Sequence, residues 1–591
     1  MFPWVPNTMH PNILSHLPAS RKECLERGWQ EVDIVLVTGD AYVDHPSFGV
    51  ALIGRLLEAR GYRVAILAQP RFDRPDDFRR FGRPRLFFGI TAGNLDSIVA
   101  NYSGSGKVRD FDAYSKDGNP YRSQTKSKSN RLRPDRASIV YANLARSAFP
   151  DTTVILGGVE ASLRRFVHFD YKQNRLRGSV LTDAKADILV YGMGENAVLE
   201  IAERAARRAS FENIDGTCLR LTDRQFQECY ASAPPDVFVL LPAWEEIHQQ
   251  RKLFLEAELC IDRHARAGSR ELLAQRQQSG WILQQPAART LGEEELDQLY
   301  NLPFTRTPHP QAGHIPAQQM IRHSITVVRG CCGNCSFCAI TRHQGPQIVS
   351  RSLPSVVEEV HRISRMDDFS GTISDLGGPT ANLYGSSCRI GGCRRHDCLY
   401  PKICEHLRLD EVRTLALLEN VSTIEGVRHV FISSGLRMEL LLKTPKLLKA
   451  LLFKHTPGSL KIAPEHTDDN VLRLMHKEKH LVLERFVEYC RRISPGGKNH
   501  LQLTPYIITG HPGSSAKSAA SCAASLKKLG LVARQFQDFT PTPGTLSTAM
   551  FVSGLDRSGK KIHLPSPSER IRQRTIFEET FHRRQQKKKK T

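Results

Sequence analysis

The sequence predicts an α/β protein in which a doubly wound parallel sheet domain precedes a partial (β/α)6 barrel. Three observations lead to this fold class. The chain has 591 residues, which is too long for one compact core. The stretch VDIVLVTGDAYVDHPSFGVALIGRLLEARGYRVAILAQP, residues 32–70, has the pattern of a strand, a helix that ends at Gly61 and a second strand. From residue 320 onward the strand–helix alternation returns six times, which predicts the barrel.

The predicted parallel sheet covers roughly residues 30–210. Its further strands are RLFFGI, SIVYAN, TVILGG and ADILVYG, with helices such as NAVLEIAERAARR between them. The ligand crevice of such a sheet lies at the carboxyl ends of its strands. We therefore expect an N-terminal domain at 1–210, a connecting helical region at 211–315, a barrel with its C-terminal segment at 316–570 and a basic disordered tail at 571–591.

The six predicted barrel strands are separated by helical stretches. They lie near HSITVVRG, GTISDLGG, HVFISSG, SLKIAPE, LQLTPYIITG and RQFQDFTP. Barrel enzymes carry their chemistry on the loops that follow the strands, so the motifs after these six segments are the candidate site.

The composition is that of a soluble globular protein, with 40% hydrophobic and 24% charged residues. The N-terminus MFPWVPNTMHPNILSH lacks the basic region and apolar core of a secretory signal. No run of eighteen apolar residues predicts a membrane span. We therefore expect a cytoplasmic protein whose 14 cysteines are metal ligands or free thiols rather than a disulfide framework.

The net charge of +22 suggests an anionic partner such as RNA. Part of the excess is local: residues 121–136 form a basic insertion, and the chain ends in HRRQQKKKKT. Such segments also occur simply as solvated charge, so RNA binding is one hypothesis and solubility is the other.

Four cysteines lie within eight positions of RGCCGNCSFCAI. Cys331, Cys335 and Cys338 form C-x₃-C-x₂-C directly after the first predicted barrel strand. Three thiolates can hold a four-iron cluster and leave one iron without a protein ligand. A structural zinc site with four ligands and a redox C-x-x-C, which leaves Cys331 unexplained, are the alternatives. The position after a barrel strand favours the cluster.

The remaining cysteines near the barrel mouth have less defined roles. We expect Cys332 to point away from the other three as a small buried thiol. The segment CRIGGCRRHDCLYPKIC follows the second predicted strand, and its spacing matches neither a zinc ribbon nor a ferredoxin signature. It predicts an auxiliary iron–sulfur cluster or a structural zinc, with free thiols as the alternative. Its cysteines are Cys388, Cys393, Cys398 and Cys404.

The cysteine motif, with Phe337 before the last cysteine, resembles the radical S-adenosylmethionine (SAM) superfamily. VVRGCCGNCSFCAITRHQGPQIVSRS resembles the YgiQ family in particular, as do TGDAYVDHPSFG, SDLGGPTANLYG, KIAPEHTDDNVLRLMHK, YIITGHPGSS and QDFTPTPGTLSTAM. The resemblance implies a radical SAM barrel in which SAM binds the cysteine-free iron. Reductive cleavage of SAM then gives a 5′-deoxyadenosyl radical that abstracts hydrogen from a substrate, with flavodoxin or ferredoxin as the electron donor. It implies no particular substrate.

The same resemblance implies which residues contact SAM. Gly377 and Gly378, after the second strand, match the glycine-rich motif that approaches the SAM amine, and a helix-breaking turn is the alternative. Glu465, after the fourth strand, matches a position that contacts the SAM ribose, and a solvated carboxylate at the rim is the alternative. Phe337 is expected to flank the adenine. Ser434, Arg437 and the GHPG segment also lie on the predicted mouth face.

The N-terminal domain resembles the cobalamin-binding-like domain that precedes many radical SAM barrels. Cobalamin itself is not expected, because the cobalt-ligating histidine usually lies in D-x-H-x-x-G, whereas here Asp44 and His45 are adjacent. We expect His45 to be a core or helix-side histidine. Two rival functions remain at this point: a cobalamin-using radical SAM methyltransferase, and a non-catalytic, metal-stabilised RNA-binding protein.

Overall fold

The computed structural model describes residues 15–234, 236–391, 393, 397–493 and 503–581. The chain divides into two compact units, Met1–Arg322 and His323–Thr591. Among the described residues, no helix is both long enough and apolar enough to cross a membrane.

The first unit is built on a nine-stranded sheet with helices on its faces. Five neighbouring strands run parallel, as expected for a doubly wound sheet, and Thr217–Leu221 runs antiparallel to both of its neighbours. In spatial order the strands are Val64–Ala68, Ile34–Thr38, Phe87–Thr91, Thr153–Leu156, Ile188–Val190, Thr217–Leu221, Gly280–Gln284, Leu272–Gln277 and Phe238–Leu241. The α-helices are Arg21–Glu26, Gly49–Glu58, Ser97–Asn101, Ala137–Ala148, Gly158–Leu163, Val180–Ala184, Glu195–Ala206, Asp223–Ser232, Trp244–Gln249, Lys252–Ala267, Glu293–Tyr300 and Pro316–Ile321.

The prediction that 211–315 is a connecting helical region is wrong. Four of the nine strands come from this stretch, so the sheet extends well beyond residue 210. These strands carry polar residues that hid them in the sequence. Gln275 and Gln277 are almost fully buried, and their side-chain oxygens accept hydrogen bonds from the backbone of Val167 and Ser179 at 2.9 and 3.0 Å. A buried glutamine with a backbone partner costs little, although it breaks the apolar pattern of a strand.

The segment SIVYAN is a helix and not the predicted strand. It lies in the helix Ala137–Ala148. Ala137, Tyr141 and Ala145 are fully buried at a spacing of four residues, which is the period of a helix face. The β-branched residues Ile139 and Val140 suggested a strand, and packing of the helix against the sheet overrides that preference.

The second unit is the expected six-stranded partial barrel. Its strands are Ser324–Thr326, continued by Val328–Arg329; Thr372–Ile373 with Asp375–Gly377; His429–Val430; Leu460–Glu465; Leu503–Thr509; and Gln535–Asp538. Successive strands pair in parallel, and an isolated parallel bridge from Leu436 to Ile462 connects the third strand region to the fourth. The α-helices are Ile340–Gln344, Leu353–Ser364, Glu411–Ser422, Met438–Leu441, Pro445–Phe453, Asp469–Met475, His480–Ile493, Ala516–Lys528, Leu546–Ser553 and Pro567–Phe581.

The predicted disordered tail begins too early. Residues 571–581 belong to the last helix, Pro567–Phe581. Phe577 and Phe581 lie one helical turn apart and are buried in the barrel core. The basic residues 582–591 lie outside the described part of the chain.

Candidate functional site

The cysteine loop follows the first barrel strand and ends at the helix Ile340–Gln344. Three other segments of the unit hold it. The backbone N–H of Ser336 donates to Met475 O at 2.9 Å, and its carbonyl accepts from the N–H of Ser547 at 2.8 Å. Arg557 Nη2 donates to Ser336 Oγ at 2.9 Å. The loops that follow the fourth and sixth strands therefore fix the conformation of this short, polar loop.

The entry to the loop requires a glycine. Gly330 has a φ of +77°, and a Cβ at this position would lie 1.7 Å from the carbonyl oxygen of Gln347. The N–H of Cys331 donates to Gly345 O at 3.2 Å. The backbone therefore returns closely past Gly330, which positions the first cysteine.

The three predicted cluster cysteines are partly enclosed, and Cys331 is buried. The N–H of Gly333 donates to Cys331 Sγ at 3.4 Å, and Arg437 Nη1 donates to Cys335 Sγ at 3.5 Å. Burial and then the neighbouring Cys335 raise the pKa of Cys338 to about 12. The two hydrogen-bond donors to sulfur fit cysteines that hold an iron–sulfur cluster, because such donors stabilise and orient the ligands of a metal.

These cysteines do not form a site for a single ion. Within the described ranges, no group of three or more His, Cys, Asp or Glu side chains converges on one metal position. Cysteines of a four-iron cluster bind different irons, so they need not converge on one point. This geometry argues against a preformed zinc site among the described residues.

Cys332 faces the second cysteine group. A hydrogen bond with the Cys398 thiol, followed by burial, raises the pKa of Cys332 well above its ordinary value. The N–H of Cys398 also donates to Cys332 O at 3.4 Å. The interpretation of Cys332 as a thiol that is not a cluster ligand stays a prediction, and these contacts support it.

The second cysteine loop packs against the first loop and against His476, which follows the helix Asp469–Met475. His476 Nε2 lies 2.7 Å from Asp397 Oδ2, and the rings of His476 and Tyr400 have centroids 3.8 Å apart. Leu399 is buried together with Cys331 and Cys332. The metal predicted here stays a prediction, and Gly392 and residues 394–396 of this loop lie outside the described residues.

Gly377 and Gly378 are required by close packing. A Cβ on Gly377 would lie 2.3 Å from Asp375 Oδ2 and 2.5 Å from Ser434 Oγ, and one on Gly378 would lie 2.4 Å from Val328 O. Neither glycine has a positive φ. Gly378 therefore allows the second strand to approach the first, and Gly377 makes room for Asp375 and Ser434. The contact of these glycines with SAM stays a prediction.

Glu465 ends the fourth strand with a φ of +65°. Burial, with a smaller contribution from Glu478, raises the pKa of Glu465 to about 7 against the opposing effects of Lys477 and Arg437. The charge of Glu465 also contributes to the raised pKa of Cys338, so the carboxyl group is near the cysteine loop. Glu465 is half-buried rather than a solvated carboxylate at the rim.

Sequence reasoning placed Arg437 on the mouth face but missed the buried charged residues around it, which lie beside Cys335. Arg437 Nε donates to Glu439 Oε1 at 2.5 Å, and Lys477 Nζ lies 3.2 Å from Glu478 Oε2. All four side chains are at most 10% exposed. The run HKEKH, residues 476–480, resembles an ordinary solvated turn in the sequence. Only its ion pairing with Arg437 of the SSGLR segment could have indicated that these charges are buried.

Phe337 lies beside the GHPG segment. Its ring meets that of His511 edge to face at a centroid distance of 6.5 Å. Burial lowers the pKa of His511 to about 3, so the imidazole is neutral near pH 7. A neutral ring and an aromatic face are suitable neighbours for a base such as adenine.

The carboxyl-end crevice of the first unit contains an internal ion-pair network. Asp40, which follows the strand Ile34–Thr38, accepts from Arg133 Nη2 at 2.5 Å, and Arg133 Nη1 lies 3.0 Å from Asp112 Oδ2. A Cβ on Gly93 would lie 2.2 Å from Asp40 Oδ1. His45 is fully buried, and its Nδ1 accepts from the N–H of Ser47 at 3.0 Å. These contacts fill the edge of the sheet around Asp40 and enclose His45. The expectation that the chain binds no cobalamin stays a prediction.

The arginines of the basic insertion are held inside the first unit. Arg133 joins the network with Asp40, Arg131 lies 3.3 Å from Asp135, and Arg136 lies 2.6 Å from Asp170. Arg122 donates to backbone carbonyls. The prediction of RNA binding is not tested by these contacts, but the structure uses the arginines that suggested it as internal ion-pair and hydrogen-bond partners.

Known proteins resemble this chain over most of its length. Residues 16–324 match the family model "Radical SAM N-terminal", and residues 325–521 match "Radical SAM superfamily". A UPF0313 protein of Thermotoga neapolitana is 45% identical over 93% of this chain and 95% of its own length. UPF0313 proteins of Geobacter sulfurreducens, 45% identical over 93% and 90%, and of Methanosarcina acetivorans, 40% identical over 95% and 78%, also match.

Two solved structures are similar at low identity. One is the radical SAM methyltransferase TsrM from Kitasatospora setae, with cobalamin and a [4Fe-4S] cluster bound. It is 14% identical with a TM-score of 0.49, and the match covers 87% of this chain and 74% of the TsrM chain. The cobalamin-dependent radical enzyme OxsB has 10% identity, a TM-score of 0.47 and coverage of 94% and 62%. Both of these structures contain cobalamin.

The family models together span both units, and the relatives match along nearly the whole sequence. The family expected from the motifs is therefore confirmed. The chain belongs to the UPF0313 (YgiQ) family of the radical SAM superfamily.

Proposed function

We propose that this protein is an enzyme that binds a [4Fe-4S] cluster through Cys331, Cys335 and Cys338 and cleaves SAM reductively. Membership of the superfamily brings the cluster and SAM as cofactors. When bound, the reduced cluster would supply one electron to the SAM sulfonium, and cleavage of its C–S bond would give methionine and a 5′-deoxyadenosyl radical. The observation that supports this function best is the C-x₃-C-x₂-C loop, which lies directly after the first barrel strand and is held by the loops of later strands.

The residues around the loop have the chemistry that SAM binding needs. A carboxyl group with a pKa of about 7, such as Glu465, can both donate to and accept from ribose hydroxyls near neutral pH. Phe337 offers an aromatic face for adenine. Gly377 and Gly378 add no side chains of their own to the backbone at the end of the second strand, beside Asp375 and Ser434.

The proposed enzyme works without cobalamin. The ion pairs of Asp40 with Arg133 and the burial of His45 support this part of the proposal. The rival function is a cobalamin-using radical SAM methyltransferase. An absorbance spectrum of protein purified from cells supplied with cobalamin distinguishes them: corrinoid bands at one cobalt per chain would exclude the proposed form.

The enzyme activity is tested on protein purified anaerobically. We expect at least four irons per chain, and 5′-deoxyadenosine released from SAM with a chemical reductant or with flavodoxin or ferredoxin as the electron donor. The triple variant of the three cluster cysteines to alanine is the control and should release none. Zinc in place of iron, or four irons without 5′-deoxyadenosine from reduced protein, would overturn the proposal.

A further inference from the structure

The guanidinium group of Arg437 is fixed beside a cluster cysteine. Arg437 Nη1 donates to Cys335 Sγ at 3.5 Å, and Arg437 Nε donates to Glu439 Oε1 at 2.5 Å. The backbone of Arg437 is held on both sides by Asn382, whose Nδ2 donates to Arg437 O at 3.0 Å and whose Oδ1 accepts from its N–H at 3.3 Å. Backbone and side chain are therefore both positioned toward Cys335.

The cysteine loop leaves room for this contact at one residue. A Cβ on Gly333 would lie 2.7 Å from Arg437 Nη1 and 3.4 Å from Cys331 Sγ. Any larger residue at this position would therefore displace the guanidinium group. Two separate features therefore allow the guanidinium group of Arg437 to approach Cys335 Sγ. One is the missing side chain at Gly333, and the other is the anchoring of Arg437.

The charge at this position is permanent. An arginine side chain stays protonated in proteins, and the guanidinium group here lies next to the carboxylate of Glu439. The side chain is 10% exposed, so solvent screens its charge little. Hydrogen bonds to the sulfurs and local charge set the reduction potential of iron–sulfur clusters. Because reduction adds one negative charge, a fixed cation stabilises the reduced state.

We propose that Arg437 is a positioning residue that raises the reduction potential of the cluster through its N–H donated to Cys335 Sγ, with Glu439 aiming the guanidinium group. This inference rests on the proposed function, because it needs the cluster. The reduction takes one electron from the donor protein and moves no proton to Arg437. The consequence is that a donor of ordinary potential can reduce a larger fraction of the enzyme.

The test is a redox titration of the reconstituted protein, without SAM, followed by electron paramagnetic resonance. Arg437→Met should lower the midpoint potential so that the ratio of reduced to oxidised cluster falls about tenfold at a fixed donor potential, which corresponds to about 59 mV for one electron. Gly333→Ala, which retains Arg437 but displaces it, should shift the potential in the same direction by less. Arg574→Met removes a cation paired with Asp538 and Glu578 and is the control, with no shift expected.

The outcomes separate this inference from the function on which it rests. Wild-type protein without iron would refute the proposed function. If the Arg437→Met variant holds four irons and its midpoint potential is unchanged, only the proposed role of Arg437 is refuted. The same holds if this variant binds SAM more weakly while its midpoint potential is unchanged. If Arg437→Met does not retain a cluster, Gly333→Ala decides: an unchanged potential there overturns the inference, and a lower one supports it.

Discussion

Gly330 is the position at which one added methyl group should disrupt the cysteine loop most. With a φ of +77°, an alanine there costs about 1–2 kcal/mol for the left-handed backbone alone. Its Cβ would also lie 1.7 Å from Gln347 O, whereas contacts below 3.0 Å essentially never occur. Because the obstacle is backbone, the two segments must separate, which adds about 1–3 kcal/mol of overpacking. Gly330→Ala should therefore lower the free energy of unfolding by roughly 2–5 kcal/mol.

Gly458 provides a matched control for this substitution. It lies in the same unit with a φ of +81°, but a Cβ there would meet nothing within 4 Å. Gly458→Ala should therefore cost only the backbone term of about 1–2 kcal/mol. The difference between the two variants isolates the close approach of the backbone at Gln347.

The assay is urea unfolding of the metal-free protein with two probes. All 4 tryptophans lie at or before Trp281, in the first unit, so their fluorescence reports on that unit alone. Circular dichroism reports on both units. We expect Gly330→Ala to shift a transition seen by circular dichroism while the fluorescence transition stays in place, and reconstituted iron to fall below the Gly458→Ala value. Equal stability and equal iron in the two variants would refute the reasoning.

Three further predictions test the metal sites and the insertion. Replacing any one of the three cluster cysteines with alanine should abolish the broad absorption at about 400 nm and the cleavage of SAM. Cys332→Ala should retain both. Absorbance spectra and assays of 5′-deoxyadenosine measure these outcomes. If the second cysteine loop binds metal, metal analysis of wild-type protein should show iron or zinc beyond four irons, and Cys398→Ala should lower that extra content. Arg133→Met leaves Asp40 buried without its cation and should destabilise the first unit by about 3–5 kcal/mol, measured by tryptophan fluorescence during unfolding.

The sequence predicted the elements whose apolar pattern is local. The strand–helix–strand pattern at 32–70 matches Ile34–Thr38, Gly49–Glu58 and Val64–Ala68 because buried strands and one-sided helices leave periodic apolar residues. The apolar pattern did not predict strands in which polar side chains are buried and satisfied by hydrogen bonds to distant residues. Gln275 and Gln277 are buried in a strand because backbone groups distant in sequence satisfy their amides. No sequence window contains both partners, so the strands at 211–315 were not predictable.

The candidate site divides in the same way. The three cluster cysteines lie within one loop, so their spacing was visible in the sequence. The contact of Arg437 with Cys335 joins residues 102 positions apart. Its partner Glu439 lies in the helix Met438–Leu441, and its partner Glu478 follows the helix Asp469–Met475. Only the barrel topology, which places the loops after successive parallel strands on one face, brings these charges together. Spacing could therefore identify the ligands, but not the residues that act on them.

Formal net charge predicts a binding surface only where the charges face solvent. The chain carries +22, and the insertion at 121–136 contributes strongly to the local excess. Arg131 and Arg133 are at most 5% exposed and lie in ion pairs with aspartates, whereas Lys126 and Lys128 are 68% and 71% exposed. A paired, buried cation contributes little to the long-range field that attracts a polyanion. The buried arginines therefore serve the structure of the insertion, and the exposed Lys126 and Lys128 are the part of its charge that an anionic partner could meet.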